Sequence, residues 1–191
     1  MPIRLHSGLA KGQKLFTPKN LKIRPASARV RKSLFDILGD LSGKQILDLF
    51  AGTGSLGLTG LSKGASACVF VDADSQAIHL IQENLKKIGF YAQAQVLQKK
   101  VLEAIPYLEN KKQSFDIIFV DPPYDQGLLM PSLKALSASS LASKKTVLIC
   151  EHSPREVPSF LSGLELIDQR KYGQTWVSFF KIYPRESEEP N

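Results

Sequence analysis

The chain has 191 residues, of which 43% are hydrophobic and 23% are charged, a composition typical of a globular protein with about one domain. It contains no apolar run close to the roughly 18 residues that a membrane-spanning helix needs. Because the first residues also lack the apolar core of a signal peptide, we expect a cytoplasmic protein.

Positive charge is concentrated at the N-terminus. The formal net charge is +7, and nine basic residues precede the first acidic one, Asp36, which leaves 16 basic against 18 acidic side chains in the remainder. This asymmetry indicates a polyanionic partner, with a solvated basic tail or a membrane surface as alternatives. Glycines and prolines interrupt the segment, which lacks the aromatic-rich apolar face of an interfacial helix, so the membrane alternative is disfavoured.

The cysteines and histidines give no sign of a metal site. Cys68 and Cys150 each lie in an apolar run, where a cysteine is usually a core residue. His6, His79 and His152 are scattered without the spacing of metal ligands. We therefore expect neither a disulfide nor a metal.

The predicted elements begin with an irregular or short-stranded segment at residues 1–25. A helix is predicted from Ser27, its candidate N-cap, because Val30, Leu34 and Leu38 recur, with Ile37, at helical spacing. From Lys44 onward strands and helices alternate. Strands are predicted at 45–50, 67–72, 94–98, 115–121, 146–152, 164–173 and 175–183, and helices after the glycines that follow the first strand, at 75–89, at 102–108, at about 128–141 and, as a short one, after residue 152.

Near-continuous apolar strands that alternate with helices are typical of a doubly wound α/β fold. The last two strands flank a tight turn, so they are expected to pair antiparallel. We therefore predict a Rossmann-like, mostly parallel seven-stranded sheet with a C-terminal antiparallel hairpin. Ligands of such sheets bind outside the carboxyl ends of the strands, where three predicted strands end in polar chemistry: a glycine loop, Asp72 and the segment 121–124.

The glycine loop indicates a nucleoside cofactor. The segment DLFAGTGSLG, residues 48–57, follows the first strand and opens a helix. Gly52, Gly54 and Gly57 have the G-x-G-x-x-G spacing, in which glycines allow a tight turn and a close approach of ligand to backbone. Asp72, at the end of the second strand, can accept hydrogen bonds from ribose hydroxyls. The alternative is a tight strand-to-helix turn that binds nothing.

Asp48 favours a cationic cofactor. A dinucleotide places its pyrophosphate at the helix N-terminus, where a carboxylate four residues before Gly52 would repel it. S-adenosylmethionine carries a sulfonium and an ammonium group and no phosphate. We therefore predict S-adenosylmethionine as the cofactor, with NAD as the alternative.

The segment FVDPPYDQG, residues 119–127, stops a buried strand at Asp121 and stiffens the loop with two prolines. D-P-P-Y resembles the [DNS]-P-P-[YFW] motif of methyltransferases that act on exocyclic amino groups. In that interpretation, the Asp121 carboxylate and the Pro122 carbonyl accept hydrogen bonds from the amine as positive charge develops. Tyr124 stacks on the base. The alternative is a rigid turn with an incidental tyrosine.

Five segments carry a closer resemblance. In the order expected of the bacterial small-subunit rRNA guanine-N2 methyltransferases of the RsmD type, the chain contains IRPASARVRKSLFDIL (23–38), LDLFAGTGSLGLTGLSKGA (47–65), VFVDAD (69–74), IIFVDPPYDQGL (117–128) and KYGQTWVSFF (171–180). The chain resembles this family over almost its whole length. The resemblance implies a class I methyltransferase fold and methyl transfer from S-adenosylmethionine to N2 of one guanine in 16S rRNA. The implied partner is the small ribosomal subunit or an assembly intermediate, and we expect a monomer.

The pattern and the resemblance together give three sets of site residues. The catalytic set is Asp121, Pro122, Pro123 and Tyr124. The cofactor set is Asp48, Phe50, Ala51, Gly52, Thr53, Gly54, Asp72 and Ala73. The RNA-binding set is Arg24, Arg29, Arg31 and Lys32. The chain is accordingly divided into a basic RNA-contacting extension with a helix at 1–38, a methyltransferase domain at 39–184 and a polar tail at 185–191, which is expected to be disordered.

Some positions depart from the family pattern. Ala28 stands where the family usually has an acid and Lys32 where it often has glutamate, which makes the N-terminal block more basic. Tyr124 stands where phenylalanine is common. Lys99 and Lys100 follow the third strand, where related enzymes often place Asp or Asn near the adenine. Lysine cannot accept the adenine's amino hydrogens, so we expect backbone and packing to hold that ring.

Three other functions remain open on the sequence. An N6-adenine methyltransferase of DNA or RNA would share the D-P-P-Y motif. A non-catalytic RNA-binding assembly factor would keep the fold without turnover. An NAD-dependent oxidoreductase would use the same glycine loop for a dinucleotide.

Overall fold

The computed structural model describes residues 3–17, 28–156 and 162–183. The chain divides into two compact units, Met1–Val101 and Leu102–Asn191. Its seven strands belong to a mixed sheet, which confirms the predicted fold class. Within those described ranges, every helix is too short or too polar to span a bilayer.

The first unit contains three parallel strands in the order β3-β2-β1. Its strands are β1 (Gln45–Leu49), β2 (Ala67–Asp72) and β3 (Ala94–Gln98), and its helices are α1 (Ala28–Leu38), α2 (Ser55–Ser62) and α3 (Ser75–Ile88), with a 3₁₀ turn at Tyr91–Gln93. The central strands are buried along almost their whole length, because helices pack against a parallel sheet on its faces. The loops that follow β1 and β2 carry the glycines and Asp72.

The second unit contains the strands in the order β4-β5-β7-β6. They are β4 (Ile117–Val120), β5 (Val147–His152), β6 (Leu164–Tyr172) and β7 (Thr175–Ile182), with helices α4 (Val101–Asn110, which begins at the last residue of the first unit) and α5 (Leu129–Ser137). Strands β4 and β5 are parallel, whereas β7 is antiparallel to both β5 and β6. This confirms the predicted C-terminal hairpin.

The element bounds follow the predictions closely, with one clear difference. Strands β2 and β3 have the predicted bounds, whereas α5 ends at Ser137 instead of residue 141. After Ser137, the Ser139 hydroxyl donates to the Leu136 carbonyl, and the Ser140 N–H donates to the side chain of Glu109 in α4. Serines that bond the backbone in this way compete with helix continuation. The short helix predicted after β5 falls largely on 157–161, outside the described residues.

Residues 3–17, here called the N-terminal segment, are part of the first unit's core. The segment folds back on itself, with Leu5 N–H donating to the Gln13 carbonyl at 3.0 Å and Leu15 N–H to the Ile3 carbonyl at 2.8 Å. This agrees with the expected irregular or short-stranded chain. The apolar side chains of Ile3, Leu5, Ala10 and Leu15 are buried, whereas those of Leu9 and Phe16 are exposed.

The N-terminal segment is fixed to the last turn of α2. Leu9 N–H donates to the Ser62 carbonyl at 2.7 Å, and Ala10 N–H donates to the Ser62 hydroxyl at 2.9 Å. A Cβ on Gly8, which has φ +78°, would lie 1.8 Å from the Ser62 carbonyl oxygen. Only glycine fits this close contact between two backbones.

Helix α1 buries one arginine that the sequence assigned to RNA. Its buried residues are Val30, Arg31, Leu34 and Phe35, whereas Ile37, expected on the apolar stripe, is 37% exposed. The apolar stripe therefore runs through Phe35 rather than Ile37. Arg31 precedes Phe35 by four residues and lies on the same face of the helix.

Candidate active site

The loop after β1 adopts a left-handed backbone at three positions. Phe50, Gly52 and Gly54 have φ values of 61°, 54° and 75°. Ala51 N–H donates to the Val71 carbonyl at 3.0 Å, which ties the loop to β2. The two glycines adopt this conformation at no steric cost, and Gly54 serves as the N-cap of α2. The predicted strand–glycine loop–helix arrangement is confirmed.

Gly57 allows α2 to pack directly on β2. A Cβ at this position would lie 2.3 Å from Cε1 of Phe70 and 2.6 Å from Sγ of Cys68. Close helix–strand packing is the role of the third glycine in a G-x-G-x-x-G loop. Every residue of α2 is buried in consequence.

Asp48 lies inside the first unit, 1% exposed. Its Oδ2 accepts a hydrogen bond from the Gly57 N–H at 2.8 Å. Burial raises the pKa of the Asp48 carboxyl to about 8, the Gly57 hydrogen bond opposes this shift, and the charge of Asp72 adds to it. Asp48 therefore satisfies a backbone donor in the first turn of α2, a contact that sequence reasoning did not identify.

Asp72 organises the glycine loop with both of its carboxylate oxygens. Oδ2 accepts from the Gly52 N–H at 2.8 Å, and Oδ1 accepts from the Asp74 N–H at 2.9 Å. Asp74 caps α3, since its carboxylate accepts from the Gln76 N–H at 2.8 Å. The predicted cofactor residue Ala73 lies between these two aspartates and is exposed.

Asn84 connects the glycine loop to the N-terminal segment, and sequence reasoning missed it. Its side chain is fully buried in α3 and donates to the carbonyls of Phe16 at 3.2 Å and Thr53 at 3.3 Å. Its Oδ1 accepts from the Phe16 N–H at 2.7 Å. A buried asparagine must find such partners, so a polar residue on the apolar face of α3 was the available signal.

In the second unit, the D-P-P-Y loop follows the fully buried strand β4. Asp121 is half-buried, Pro122 is buried and Pro123 is exposed. The charge of Asp121 acts on the Tyr124 phenol and helps to raise its pKa. The four predicted catalytic residues therefore lie together, at the carboxyl end of β4.

Tyr124 is anchored through its hydroxyl group. The hydroxyl donates to Oε1 of Glu151 at 2.8 Å and lies 3.0 Å from Oγ1 of Thr175. Burial, followed by the negative charge of Glu151, raises the pKa of the phenol well above its usual value. The phenol is therefore neutral and acts as a donor throughout the physiological pH range. Neither partner was identified from the sequence.

The next residue, Asp125, is held by Ser153 and Glu156, which follow Glu151 in the chain. It has a φ of 57°, its N–H donates to Glu156 at 2.9 Å, and its Oδ1 accepts from the Ser153 hydroxyl at 3.1 Å. A left-handed aspartate is uncommon outside turns. The loop is thus fixed at the Tyr124 hydroxyl and at the residue that follows Tyr124.

The predicted RNA-binding residues divide by exposure. Arg29 and Lys32 are exposed on α1, and Lys32 pairs with Asp36 at 2.8 Å. Arg31 is only 3% exposed, so in this conformation it offers no guanidinium surface to RNA. Arg24 lies outside the described residues.

Two further expectations concern the adenine and metals. Lys99 is half-buried and Lys100 is exposed, and the Lys99 N–H donates to the Asp72 carbonyl at 3.0 Å. Within the described ranges, no group of three or more His, Cys, Asp or Glu side chains could hold a metal ion. Cys68 and Cys150 are buried free thiols, as expected of core residues.

Comparison with known proteins assigns the family. The family model described as conserved hypothetical protein 95 matches residues 3–181. The chain is 32% identical to YlbH of Bacillus subtilis (strain 168), which is named provisionally as an rRNA methyltransferase, over 94% of this chain and 98% of YlbH. It is 29% identical to the ribosomal RNA small subunit methyltransferase D of Escherichia coli (strain K12), over 97% of this chain and 91% of that protein.

The structures agree. The solved structure of yhhF from Escherichia coli, named provisionally as a methyltransferase, superposes with a TM-score of 0.84 at 25% identity, over 97% of this chain and 100% of that one. The fold is accordingly the Rossmann-like class I fold of S-adenosylmethionine-dependent methyltransferases. The chain belongs to the family described as conserved hypothetical protein 95, the RsmD family of methyltransferases.

Proposed function

We propose that this protein transfers a methyl group from S-adenosylmethionine to the exocyclic N2 of one guanine in the 16S rRNA of the small ribosomal subunit. The observation that carries the proposal is the stiffened Asp121–Tyr124 loop at the end of β4, in a chain of the RsmD family. The small-subunit relative in Escherichia coli supports an rRNA substrate.

The residues of the first unit fit S-adenosylmethionine better than a dinucleotide. The N–H of Gly57 in the first turn of α2 is already bound by the Asp48 carboxyl group, so a donor that a pyrophosphate would need at the helix N-terminus is occupied. When bound, S-adenosylmethionine supplies an electrophilic methyl group on a cationic sulfur. A site without free donors for phosphate suits a cofactor that carries no phosphate, and a bound cation would favour the ionised form of the Asp48 carboxyl.

Asp72 retains the capacity to bind a ribose. Each of its carboxylate oxygens accepts one backbone hydrogen bond, and each has a second lone pair for a ribose hydroxyl. The cofactor set is kept as proposed on the sequence: Asp48, Phe50, Ala51, Gly52, Thr53, Gly54, Asp72 and Ala73. Asp48 acts there through its hold on α2, since it is buried and holds a proton near neutral pH.

Asp121 and Pro122 activate the target amine. The N2 lone pair is delocalised into the guanine ring, so the amine is a poor nucleophile. The Asp121 carboxylate and the Pro122 carbonyl accept hydrogen bonds from the two N–H groups of the amine and stabilise the positive charge that develops on nitrogen. The bound cofactor would supply the methyl group, and its sulfur would keep the electron pair of the C–S bond that breaks as the N–C bond forms. The methylated nitrogen is acidic and loses its proton after the transfer, to solvent or to Asp121, so no general base is required during the transfer itself.

Tyr124 holds the base for this reaction. Stacking on an aromatic ring is worth about 1–3 kcal/mol per base, which offsets much of the few kcal/mol that extruding a paired base costs. Pro123 fixes the backbone between the acceptor pair and the ring. The ring is presented in one orientation because its hydroxyl is anchored.

RNA contact is assigned to the basic N-terminal part of the chain. Arg29 and Lys32 are the exposed members of the RNA-binding set in the described chain, and Arg24 is proposed with them on the sequence alone. The buried Arg31 is not included. Residues 1–38 thus serve as the RNA-contacting extension and residues 39–184 as the methyltransferase domain.

Nucleoside mass spectrometry of cellular rRNA tests the proposal. Small-subunit rRNA from a strain lacking this protein is expected to lose N2-methylguanosine at one position, and complementation with the wild-type gene restores it. Loss of N6-methyladenosine instead would assign the adenine alternative. Unchanged nucleosides in the deletion strain would contradict the proposal.

A further inference from the structure

The Tyr124 hydroxyl lies in a hydrogen-bonded chain that a phenylalanine at this position could not make. The phenol has one hydrogen, which it donates to Oε1 of Glu151 at 2.8 Å. The Thr175 hydroxyl, 3.0 Å away, therefore donates to the phenolic oxygen. The direction of the chain is Thr175 to Tyr124 to Glu151, and it uses both the donor and an acceptor site of the phenol.

The sheet register explains why these two partners meet at one hydroxyl. Glu151 lies opposite Val177 in the antiparallel pair of β5 and β7. Thr175 precedes Val177 by two residues and so shares a face of the sheet with it. It is the diagonal neighbour of Glu151 on that face. Both partners are thus carried by strands rather than by loops.

The backbone beyond the ring is held by the residues that follow Glu151. The Asp125 carboxylate accepts a hydrogen bond from the Ser153 hydroxyl, and the Asp125 N–H donates to Glu156. The ring of Tyr124 is therefore fixed at its hydroxyl end and through its own backbone. A stacking surface fixed before the base arrives loses less conformational freedom when the base binds.

We propose that Glu151 and Thr175 are positioning residues for methyl transfer, which act by locking the Tyr124 ring in its stacking orientation. This inference rests on the proposed function. It also gives the region of the late K-Y-G segment a role, since Thr175 is the second residue after that segment. Glu151 and Thr175 act through Tyr124 and are not assigned contacts with the base or the cofactor.

A double-mutant cycle with purified enzyme tests the proposal. Tyr124→Phe keeps the ring and removes the hydroxyl, and Glu151→Ala removes the acceptor. Each is expected to lower kcat for labelled methyl transfer to unmethylated small subunits by about 10-fold, the size expected for a hydrogen bond to a charged group. The double variant should be no slower than either single one, because both remove the same interaction.

Two further variants make the test specific. Glu151→Gln keeps an oxygen acceptor and should recover part of the lost rate. Thr175→Val keeps the side-chain shape and should slow the wild-type enzyme but not Tyr124→Phe. The KM for subunits should change less than 2-fold throughout, since phosphate contacts dominate RNA affinity. Glu103→Ala, at an exposed glutamate of α4, serves as the control and should match wild type.

The outcomes separate this inference from the proposed function. Single effects that multiply in the double variant, or a Tyr124→Phe enzyme as fast as wild type, would overturn the positioning role alone. If Glu151→Ala unfolds, the Thr175→Val cycle decides by the same criterion. Wild-type enzyme that leaves unmethylated subunits unlabelled would overturn the proposed function and this inference with it.

Discussion

Oδ2 of Asp48 accepts a hydrogen bond from the Gly57 N–H at 2.8 Å, at a position where the aspartate is 1% exposed. The carboxylate therefore occupies the N-terminal end of α2 from within the unit. Burial raises its pKa to about 8, so the native protein holds a proton there near neutral pH. Asp48, which the sequence analysis interpreted by its charge, therefore also fixes the first turn of α2 after the glycine loop.

The raised pKa of Asp48 predicts a specific pH dependence of stability. Between pH 4 and 8 the native state binds a proton that the unfolded state, with an aspartate pKa of about 3.9, does not. The free energy of unfolding should therefore fall as pH rises through this window. Asp48→Asn should flatten the profile, by at most about 5 kcal/mol across the window. Urea denaturation at several pH values measures this, and parallel profiles for the two proteins would contradict it.

Substitution of Gly57 should disturb the contact between α2 and β2. A Cβ there would meet the Phe70 ring at 2.3 Å, whereas on Gly60 it would meet only the flexible end of Ile46. Both changes to alanine gain the same helix propensity. We expect Gly57→Ala to destabilise by about 1–3 kcal/mol and Gly60→Ala to cost less. Chemical denaturation compares them, and equal costs would show that the ring adjusts freely.

Removal of the Asn84 side chain should release the N-terminal segment from the glycine loop. Asn84→Ala leaves the N–H and carbonyl of Phe16 and the carbonyl of Thr53 without their partner. We expect a loss of about 2 kcal/mol or more and at least about 10-fold faster exchange of the Phe16 amide. Gln76→Ala, at an exposed position of the same helix, is the matched control. Unchanged exchange at Phe16 would contradict the role of Asn84.

RNA affinity should depend on the exposed cations of α1. If Arg29 contacts a phosphate, Arg29→Ala should weaken binding and reduce the slope of log K against log salt by about 0.7–0.9. Lys32→Ala should act in the same way. Filter binding to small-subunit rRNA at a series of salt concentrations measures both. An unchanged slope would mean that this face of α1 does not contact RNA.

Arg31 provides the contrast on the same helix. Because it is buried, Arg31→Ala should lower the unfolding free energy and leave the salt slope unchanged. Lys134, an exposed lysine of α5, controls for the loss of one charge. If Arg31→Ala keeps its stability but reduces the slope of log K against log salt, Arg31 contacts RNA as Arg29 is proposed to do.

The sequence predicted the elements well where a strand is buried on both faces, because such a strand is apolar along its length. Strand β2 has the predicted bounds because it is a buried apolar run that ends at Asp72. Arg31 was assigned to RNA because it matches the basic block of the family, whereas the structure buries it. Its spacing of three and four residues from Leu34 and Phe35 was the signal for burial.

The remaining differences depend on contacts between distant parts of the chain. Gly8 meets Ser62, 54 residues later, through a fit between two backbones that no local pattern encodes. The partners of Tyr124 depend on the β5–β7 register, which sets Glu151 and Thr175 on one face. The positions of the glycine loop and the D-P-P-Y segment were predictable because both directly follow strands.

Methyl transfer by purified enzyme tests the central claim most directly. Labelled S-adenosylmethionine is incubated with small subunits from a strain lacking this protein, and the rRNA nucleosides are separated. We expect label in N2-methylguanosine with wild type, a loss of at least about 100-fold with Asp121→Ala, partial activity with Asp121→Asn, which the motif permits, and RNA binding within 2-fold for all three. Label in N6-methyladenosine, or no label on subunits or free rRNA while the cofactor still binds, would contradict the account.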